Sequence, residues 1–173
     1  MSLPEISDSD KIRNALNLYS RGLDRIDGEL LLKSVWPGGI IDYGEPKAIE
    51  EFVGFITPLL SRLGPGQHQI HQSLIQFVSP TEAKVETYFT SLGRMPTEDG
   101  DMDQEVNGRY FDYFEKRGDE WRIKERHLFQ DFIRARTQSV DWSKPQLGPN
   151  VPSKKIVGQK GKADRTVGLF ASS

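Results

Sequence analysis

The chain has 173 residues, 36% of them hydrophobic and 28% charged, which suits one domain with a hydrophobic core and leaves little room for a second. Its net charge is −2, with both signs spread along the sequence, so it lacks the basic surplus typical of nucleic-acid binding. It contains no cysteine, which excludes disulfides, thiolate nucleophiles and cysteine-ligated metal centres.

The first ten residues contain three acidic side chains and no apolar run, so they do not have the pattern of a signal peptide. No stretch of about 18 apolar residues is present to cross a bilayer. We therefore expect a cytoplasmic protein without a membrane or nucleic-acid partner.

Amphipathic patterns in the first third of the chain predict helices over residues 11–26, 29–36 and 47–63. Asp8 or Ser9 is the predicted N-cap of the first helix, and Asp27-Gly28 its predicted end. The apolar positions of that helix recur at three- and four-residue steps and so share one face: Ile12, Ala15, Leu16, Tyr19 and Leu23. A short strand is predicted over 40–43, and Pro58 is predicted to kink the third helix.

The middle of the chain is rich in β-branched and aromatic residues and predicts four strands, over 67–78, 83–93, 106–117 and 120–132. The acidic stretch 97–105 is predicted to be an exposed hairpin loop. Helices followed by an antiparallel meander give an α+β fold, predicted to be a cone-shaped, cystatin-like α+β barrel in which the three helices pack on a curved antiparallel sheet.

The composition changes near residue 137 to Lys, Pro, Gly and Ser. This change divides the chain into a predicted α+β barrel domain over 1–136 and a tail over 137–173. The tail is predicted to have no core of its own and to dock on the body or on a neighbouring subunit.

The candidates for a general base near neutral pH are the three histidines, His68, His71 and His127. His68 begins a strand after a Gly-Pro-Gly break, where it can reach a pocket rim, while His71 has the opposite strand parity. Asp24, at the end of the first helix, can accept a hydrogen bond from an imidazole and fix its tautomer. The alternative for Asp24 is an ordinary solvated residue at a helix end.

Three further groups complete the predicted pocket. The hydroxyls of Tyr19, Tyr43 and Tyr110 can polarise a carbonyl or protonate a leaving group, or can simply belong to core aromatic side chains. Arg126 can clamp an anionic group or extend to solvent. The predicted apolar lining consists of Leu16, Phe52, Ile56, Phe89 and Val106.

We expect no metal and no cofactor. The histidines lack the i,i+4 spacing of a helical metal site, and no glycine fingerprint of a nucleotide site follows a strand. What remains is acid–base chemistry on a substrate that can itself hold the developing negative charge.

Five motifs occur in an order and at spacings that resemble a known family. They are Tyr19-Ser-Arg-Gly-Leu-Asp24, Trp36-Pro-Gly-Gly-Ile-Ile-Asp-Tyr43-Gly44, His68-x-x-x-Gln72, Asn107-Gly-Arg-Tyr110-Phe-Asp112 and Trp121-Arg-Ile-Lys-Glu-Arg126. Over residues 8–136 the chain resembles the SnoaL-like branch of the nuclear-transport-factor-2-like superfamily. Within it, the chain looks most like the cofactor-free lyases scytalone dehydratase, hexachlorocyclohexane dehydrochlorinase and bile-acid 7α-dehydratase.

The resemblance implies roles for particular residues. Those lyases pair an Asp from the end of the first helix with a His from the start of a later strand, which here are Asp24 and His68. Tyr19 and Tyr43 match tyrosines of the bile-acid enzyme, and Arg126 matches an arginine of the dehydrochlorinase. The family's His-x-x-x-Asn reads His-x-x-x-Gln here, so Gln72 takes the place of the asparagine.

The resemblance also implies an activity, a cofactor-independent dehydratase-type elimination on a small hydroxylated aromatic, polyketide or steroid-like substrate. Two alternatives stay open. The same dyad could drive a C–C lyase that deformylates a lignin-derived diarylpropane, or the cavity could serve a non-catalytic module that binds a small hydrophobic molecule. Domains of this kind usually bury one sheet face, which implies a homodimer or homotrimer.

Overall fold

The computed structural model describes residues 6–137, 158–164 and 166. It contains three α-helices, α1 (Asp8–Arg25), α2 (Gly28–Ser34) and α3 (Ile49–Arg62). The strands are β1 (Val35–Asp42), β2 (Pro46–Ala48), β3 (Gly66–Ser79), β4 (Glu82–Thr97), β5 (Gly100–Arg117) and β6 (Glu120–Thr137). A single 3-10 turn, Gly161–Ala163, lies in the C-terminal segment.

The ends of α1 are set by local hydrogen bonds that differ slightly from those predicted. Ser7, rather than Asp8 or Ser9, is the N-cap, and its Oγ accepts from the Asp10 amide at 3.2 Å. At the other end Ile26 adopts the left-handed conformation, with φ of 53°. Asp27 then caps α2 by accepting from two of its amides. This tight junction leaves Asp24 in the last turn of α1.

The helices pack against one curved six-stranded sheet in the order β2-β1-β6-β5-β4-β3, and the predicted α+β class is thereby confirmed. The sheet is mixed rather than wholly antiparallel, because β1 runs parallel to β6. Among the described strands β2 and β3 form the two edges, so the sheet is open rather than closed into a barrel.

The predicted loop over 97–105 was wrong. Only two residues form the turn, and the rest of the stretch continues β4 and β5 in paired register from Met95↔Met102 to Thr97↔Gly100. An ion pair across the hairpin, Arg94 Nε to Asp103 Oδ1 at 2.8 Å, compensates one of the acidic charges. The strand predicted over 40–43 begins at Val35, and β2 was not predicted.

Alternation along β4 and β5 separates the two faces of the sheet. The concave face presents buried side chains such as Val85, Phe89 and Tyr110 to the helices, whereas the opposite face carries half-exposed aromatic and charged residues. The core lies between the concave face and the apolar sides of α1 and α3. The polar groups buried on this face are therefore the ones that require a structural or functional reason.

Candidate active site

Asp24 and His68 are joined by three hydrogen bonds at the point where α1 ends and β3 begins. Asp24 Oδ1 lies 2.7 Å from His68 Nδ1, and the His68 backbone amide donates to Oδ1 at 2.9 Å and to Oδ2 at 3.2 Å. Because the carboxylate accepts, Nδ1 carries the proton and the lone pair lies on Nε2. Among the described residues no group is hydrogen-bonded to Nε2.

A cavity of about 100 Å³ lies beside this pair. Its lining includes Asp24, His68, Leu63, Leu92, Val106 and Lys160. The side chains of the pair are largely buried, 11% exposed for Asp24 and 16% for His68. The imidazole is thus held in one orientation at the wall of a small, mostly apolar space.

The other two histidines lie elsewhere. His71 is exposed, and its Nε2 is 2.9 Å from Thr90 Oγ1, on the face of the sheet opposite the helices. A register shift between Ile70 and Ser73 separates its position from that of His68. His127 lies within β6, with Nε2 2.8 Å from Glu125 Oε1 and Nδ1 3.4 Å from Asp42 Oδ2. Of the three histidines, only His68 lines the cavity beside Asp24.

A buried cluster of tyrosines lies on the concave face next to α1. Tyr19 Oη and Tyr43 Oη are 3.0 Å apart, and the ring of Tyr110 stacks on that of Tyr43. Burial raises the pKa of all three hydroxyls above the ordinary tyrosine value. The hydroxyls therefore stay protonated and act as hydrogen-bond donors.

Arg126 lies at the centre of this cluster and is fully buried. Its Nε and Nη2 donate to the two oxygens of Asp112 at 2.8 and 2.7 Å, and its guanidinium lies 4.2 Å from the Tyr19 ring centroid and 4.0 Å from that of Tyr110. Burial alone would lower the pKa of Arg126, but Asp112 and the tyrosines outweigh it and hold the pKa above its ordinary value. Nη1 is buried and has no partner among the described residues.

The residues predicted to bind substrate are divided between the core, the cavity and the exposed surface. Phe52 and Phe89 pack around the tyrosines and, like Leu16 and Ile56, are buried in the core. Only Val106 of the predicted apolar lining contacts the cavity. Gln72 is exposed on β3. The structure thus contains two adjacent groups, the cavity with its dyad and a packed Tyr–Arg cluster.

Sequence reasoning missed two residues here. Asp112 was part of the motif that begins at Asn107 but was given no role, although a carboxylate between aromatic residues signals a buried partner. Lys160 lies in the tail and lines the cavity, and its Nζ donates to Leu60 O at 2.7 Å and to Leu63 O at 3.1 Å. No local pattern in the tail sequence indicated that contact.

Neither a metal-ligating cluster nor a membrane-spanning helix occurs among the described residues. No group of three or more His, Asp or Glu side chains is arranged there to hold a metal ion. None of the helices described combines the length and apolar character that a membrane-spanning segment needs.

Residues 4–127 match the model of the SnoaL-like domain, which is more than half of the chain. The chain belongs to the SnoaL-like domain family. The resemblance inferred from the five motifs is therefore confirmed, and the dyad described above lies within the matched residues. No curated protein matches this SnoaL-like chain at a significant level.

Solved structures similar to this SnoaL-like protein share its fold at low sequence identity. A candidate scytalone dehydratase from Novosphingobium aromaticivorans DSM 12444 is 22% identical, covering 73% of this chain and 86% of that one, with a TM-score of 0.66. A hexachlorocyclohexane dehydrochlorinase from Novosphingobium barchaimii LL02 is 13% identical, covering 79% and 94%, with a TM-score of 0.67. A cystatin-like protein of unknown function from Nostoc punctiforme is 21% identical, covering 76% and 96%, with a TM-score of 0.60.

Proposed function

We propose that the protein is a cofactor-independent lyase in which Asp24 and His68 drive a dehydratase-type elimination on a small hydroxylated aromatic, polyketide or steroid-like substrate. The observation that carries this proposal is the 2.7 Å contact between Asp24 Oδ1 and His68 Nδ1 beside a cavity. A histidine fixed in this way is prepared to accept a proton at Nε2, and general-base catalysis of this kind contributes about 10²–10⁴-fold to a rate.

In the proposed reaction His68 Nε2 removes a proton from a substrate carbon next to an electron-withdrawing or phenolic group. The electron pair of that C–H bond forms the new C=C bond as the C–O bond breaks. The proton held by His68 returns to the departing hydroxide, so that the products are an unsaturated compound and water. Asp24 stabilises the imidazolium that forms in between.

The tyrosine cluster supports the elimination of a hydroxyl group in particular. Tyr19 lies five residues before Asp24 on α1, about 7.5 Å along the helix axis. A substrate between the dyad and the Tyr19–Tyr43 pair would place its leaving oxygen near hydroxyls that stay protonated. The unpartnered Nη1 of Arg126 offers a further donor to an oxygen of the substrate.

The names of two similar structures support this proposal, because dehydratase and dehydrochlorinase both denote eliminations. Because their identity to this chain is low, they show the shared fold alone, and the assignment of chemistry rests on the site. Within the proposed substrate class, the cavity of about 100 Å³ favours a small aromatic compound over a steroid-like one, since sites for drug-sized ligands usually exceed about 300 Å³.

Turnover tests the proposal directly. The protein would be incubated, without added metal or nucleotide, with hydroxylated aromatic, diarylpropane and steroid-type compounds, and loss of water or release of formaldehyde would be followed by mass spectrometry. We expect a dehydrated product whose formation is insensitive to EDTA. Activity lost with EDTA and restored by a divalent metal would contradict the cofactor-independent mechanism.

The same experiment separates the alternatives. Formaldehyde release from diarylpropanes would replace the elimination with C–C cleavage by the same dyad. Binding without turnover of any compound would favour the small-molecule-binding module. The division of the chain at residue 136 and the cytoplasmic location stay predictions.

A further inference from the structure

In the C-terminal segment, residues 158–164 and Thr166 contact the end of α1 through a set of polar interactions. Arg25 Nη1 donates to Gln159 O at 2.7 Å and lies 3.4 Å from Asp164 Oδ2. Asp164 is buried, and its carboxylate also accepts from the amides of Gln159 and Thr166 at 2.8 and 2.9 Å. These contacts hold the segment next to the last turn of α1, which carries Asp24.

Lys160 extends from this segment across the C-terminal end of α3. Its ammonium group has three N–H donors, and two of them are directed at Leu60 O and Leu63 O. In the ranges that the structure describes, no carboxylate oxygen lies within ion-pair distance of Nζ. The side chain thus has one remaining donor and a positive charge without a directly paired anion.

Lys160 also lies between two spaces. One is the cavity that contains Asp24 and His68, and the other is an outer cavity of about 290 Å³ lined by Arg25, Gln67 and Gln159 among others. Gly66, Leu92 and Lys160 line both. The two cavities therefore adjoin each other at Lys160.

The electrostatic surroundings of Lys160 suit an anionic group more than a neutral one. Burial lowers the pKa of Lys160 below its ordinary value, and the negative charge of Asp24 opposes this shift. A partly desolvated ammonium group forms stronger hydrogen bonds to an anionic oxygen than to a neutral one. Arg25, which lines the outer cavity, is paired with Asp164, so Lys160 is the cation that both cavities share.

We propose that Lys160 is a specificity-determining residue, which selects substrates that carry a carboxylate or another anionic oxygen and holds that group at the entrance to the Asp24–His68 cavity. The proposal deepens the proposed function and rests on it, since it takes the same cavity as the substrate site. It narrows the substrate class to small aromatic or polyketide acids and phenolates.

Benzoate and benzamide, which match in size and differ in charge, serve as probes. Their dissociation constants would be measured by NMR titration at neutral pH for the wild type, Lys160→Gln, Lys160→Arg and Lys84→Gln. Lys84→Gln is the matched control, because it removes the same charge from the exposed face of the sheet. We expect the wild type to bind benzoate at least about 10-fold more tightly than benzamide, as a charge-assisted hydrogen bond predicts.

Lys160→Gln is expected to reduce that preference to about 2-fold or less, whereas Lys160→Arg and Lys84→Gln retain it. An unchanged preference in Lys160→Gln, an equal loss in Lys84→Gln, or no preference in the wild type would overturn the proposal. If Lys160 only caps α3, Lys160→Gln will lower the free energy of unfolding and leave the preference intact. Equilibrium binding does not require turnover. A protein that is not a lyase can therefore still prefer benzoate through Lys160, and a lyase can lack this preference, so the two proposals fail independently.

Discussion

The Asp112–Arg126 and Asp24–His68 pairs both lie between the helices and the sheet, and their surroundings differ. Asp112 and Arg126 are both fully buried and form two parallel hydrogen bonds inside an aromatic cluster. Asp24 and His68 are equally close, at 2.7 Å, but lie beside a cavity, and one ring nitrogen of His68 has no hydrogen-bond partner among the described residues.

The difference indicates which of the two pairs mainly stabilises the fold and which is available for chemistry. The Arg126 guanidinium donates two hydrogen bonds to one carboxylate and stays charged, so it cannot serve as a base and instead organises the tyrosines around it. In the described part of the chain, the His68 imidazole is hydrogen-bonded only at Nδ1, which leaves Nε2 available to a substrate. We therefore expect the first pair to control mainly stability and the second mainly turnover.

The largest expected effect on stability comes from breaking the buried pair. Asp112→Asn leaves the Arg126 charge buried without compensation, which typically costs about 3–5 kcal/mol. Urea denaturation followed by circular dichroism measures the loss. The control is Glu120→Gln, which removes an exposed partner of Arg122 and is expected to cost less than about 1 kcal/mol. Similar losses of unfolding free energy in the two variants would mean that burial does not make the Asp112–Arg126 pair more stabilising than the Glu120–Arg122 pair.

A smaller effect is expected from the hydroxyl pair of the cluster. Tyr43→Phe leaves the buried Tyr19 hydroxyl without its partner at 3.0 Å, which costs about 1–3 kcal/mol. If the hydroxyl assists the leaving group, turnover also falls about 10-fold or more. Tyr113→Phe, on the exposed face, is the control and should change neither quantity. Normal turnover in Tyr43→Phe would remove the proposed role in leaving-group departure.

The pH dependence of stability gives a further test of how the tyrosines around Arg126 stabilise the fold. Burial raises the pKa of Tyr19, Tyr43 and Tyr110, so the folded state favours the neutral hydroxyls. Their contribution to stability is present below the ordinary pKa of 10.0 and is lost as the pH rises through the folded-state values. We expect three of the five tyrosines to ionise only at strongly alkaline pH, together with unfolding. Tyrosinate absorbance and circular dichroism, recorded together, would contradict this if all five ionised in a folded protein.

The smallest effect on the fold is expected on the opposite face of the sheet. Tyr88, Phe129 and Phe132 are 40–50% exposed there, and we predict that this face packs against another copy in a homodimer or homotrimer. Phe129→Glu should then yield the 19.6 kDa monomer with unchanged stability of the domain. Light scattering that gives a monomer for the wild type would exclude the predicted assembly.

Local patterns in the sequence predicted the α+β class and most of the elements. The helical periodicity around Leu16 predicts one helix, and the alternation through Tyr110 predicts one strand. Both patterns are local, so a single sequence reveals them. The loop predicted over 97–105 failed because its acidic composition concealed cross-strand pairs such as Arg94–Asp103. The parallel pairing of β1 with β6 and the edge strand β2 depend on tertiary contacts that no short window contains.

The residues of the candidate site likewise differ in whether the sequence alone can predict them. Asp24 and His68 were predicted as a pair because the chain has only three histidines and one of them follows a break. The contact of Lys160 with the cavity joins residues about a hundred positions apart, and the surrounding tail composition gives no sign of it. The pairing of Arg126 with Asp112 likewise required the register of β5 and β6.

The most direct test of the account compares His68→Gln with His71→Gln. Glutamine can still donate a hydrogen bond to Asp24 but cannot accept a proton as a base, while His71 lies outside the cavity and serves as the matched control. On the substrate identified by the turnover screen, we predict that kcat/KM falls at least about 10²-fold in His68→Gln and less than about 2-fold in His71→Gln, with both variants folded. Full activity in folded His68→Gln, or an equal loss in His71→Gln, would contradict the assignment of the Asp24–His68 pair as the catalytic dyad.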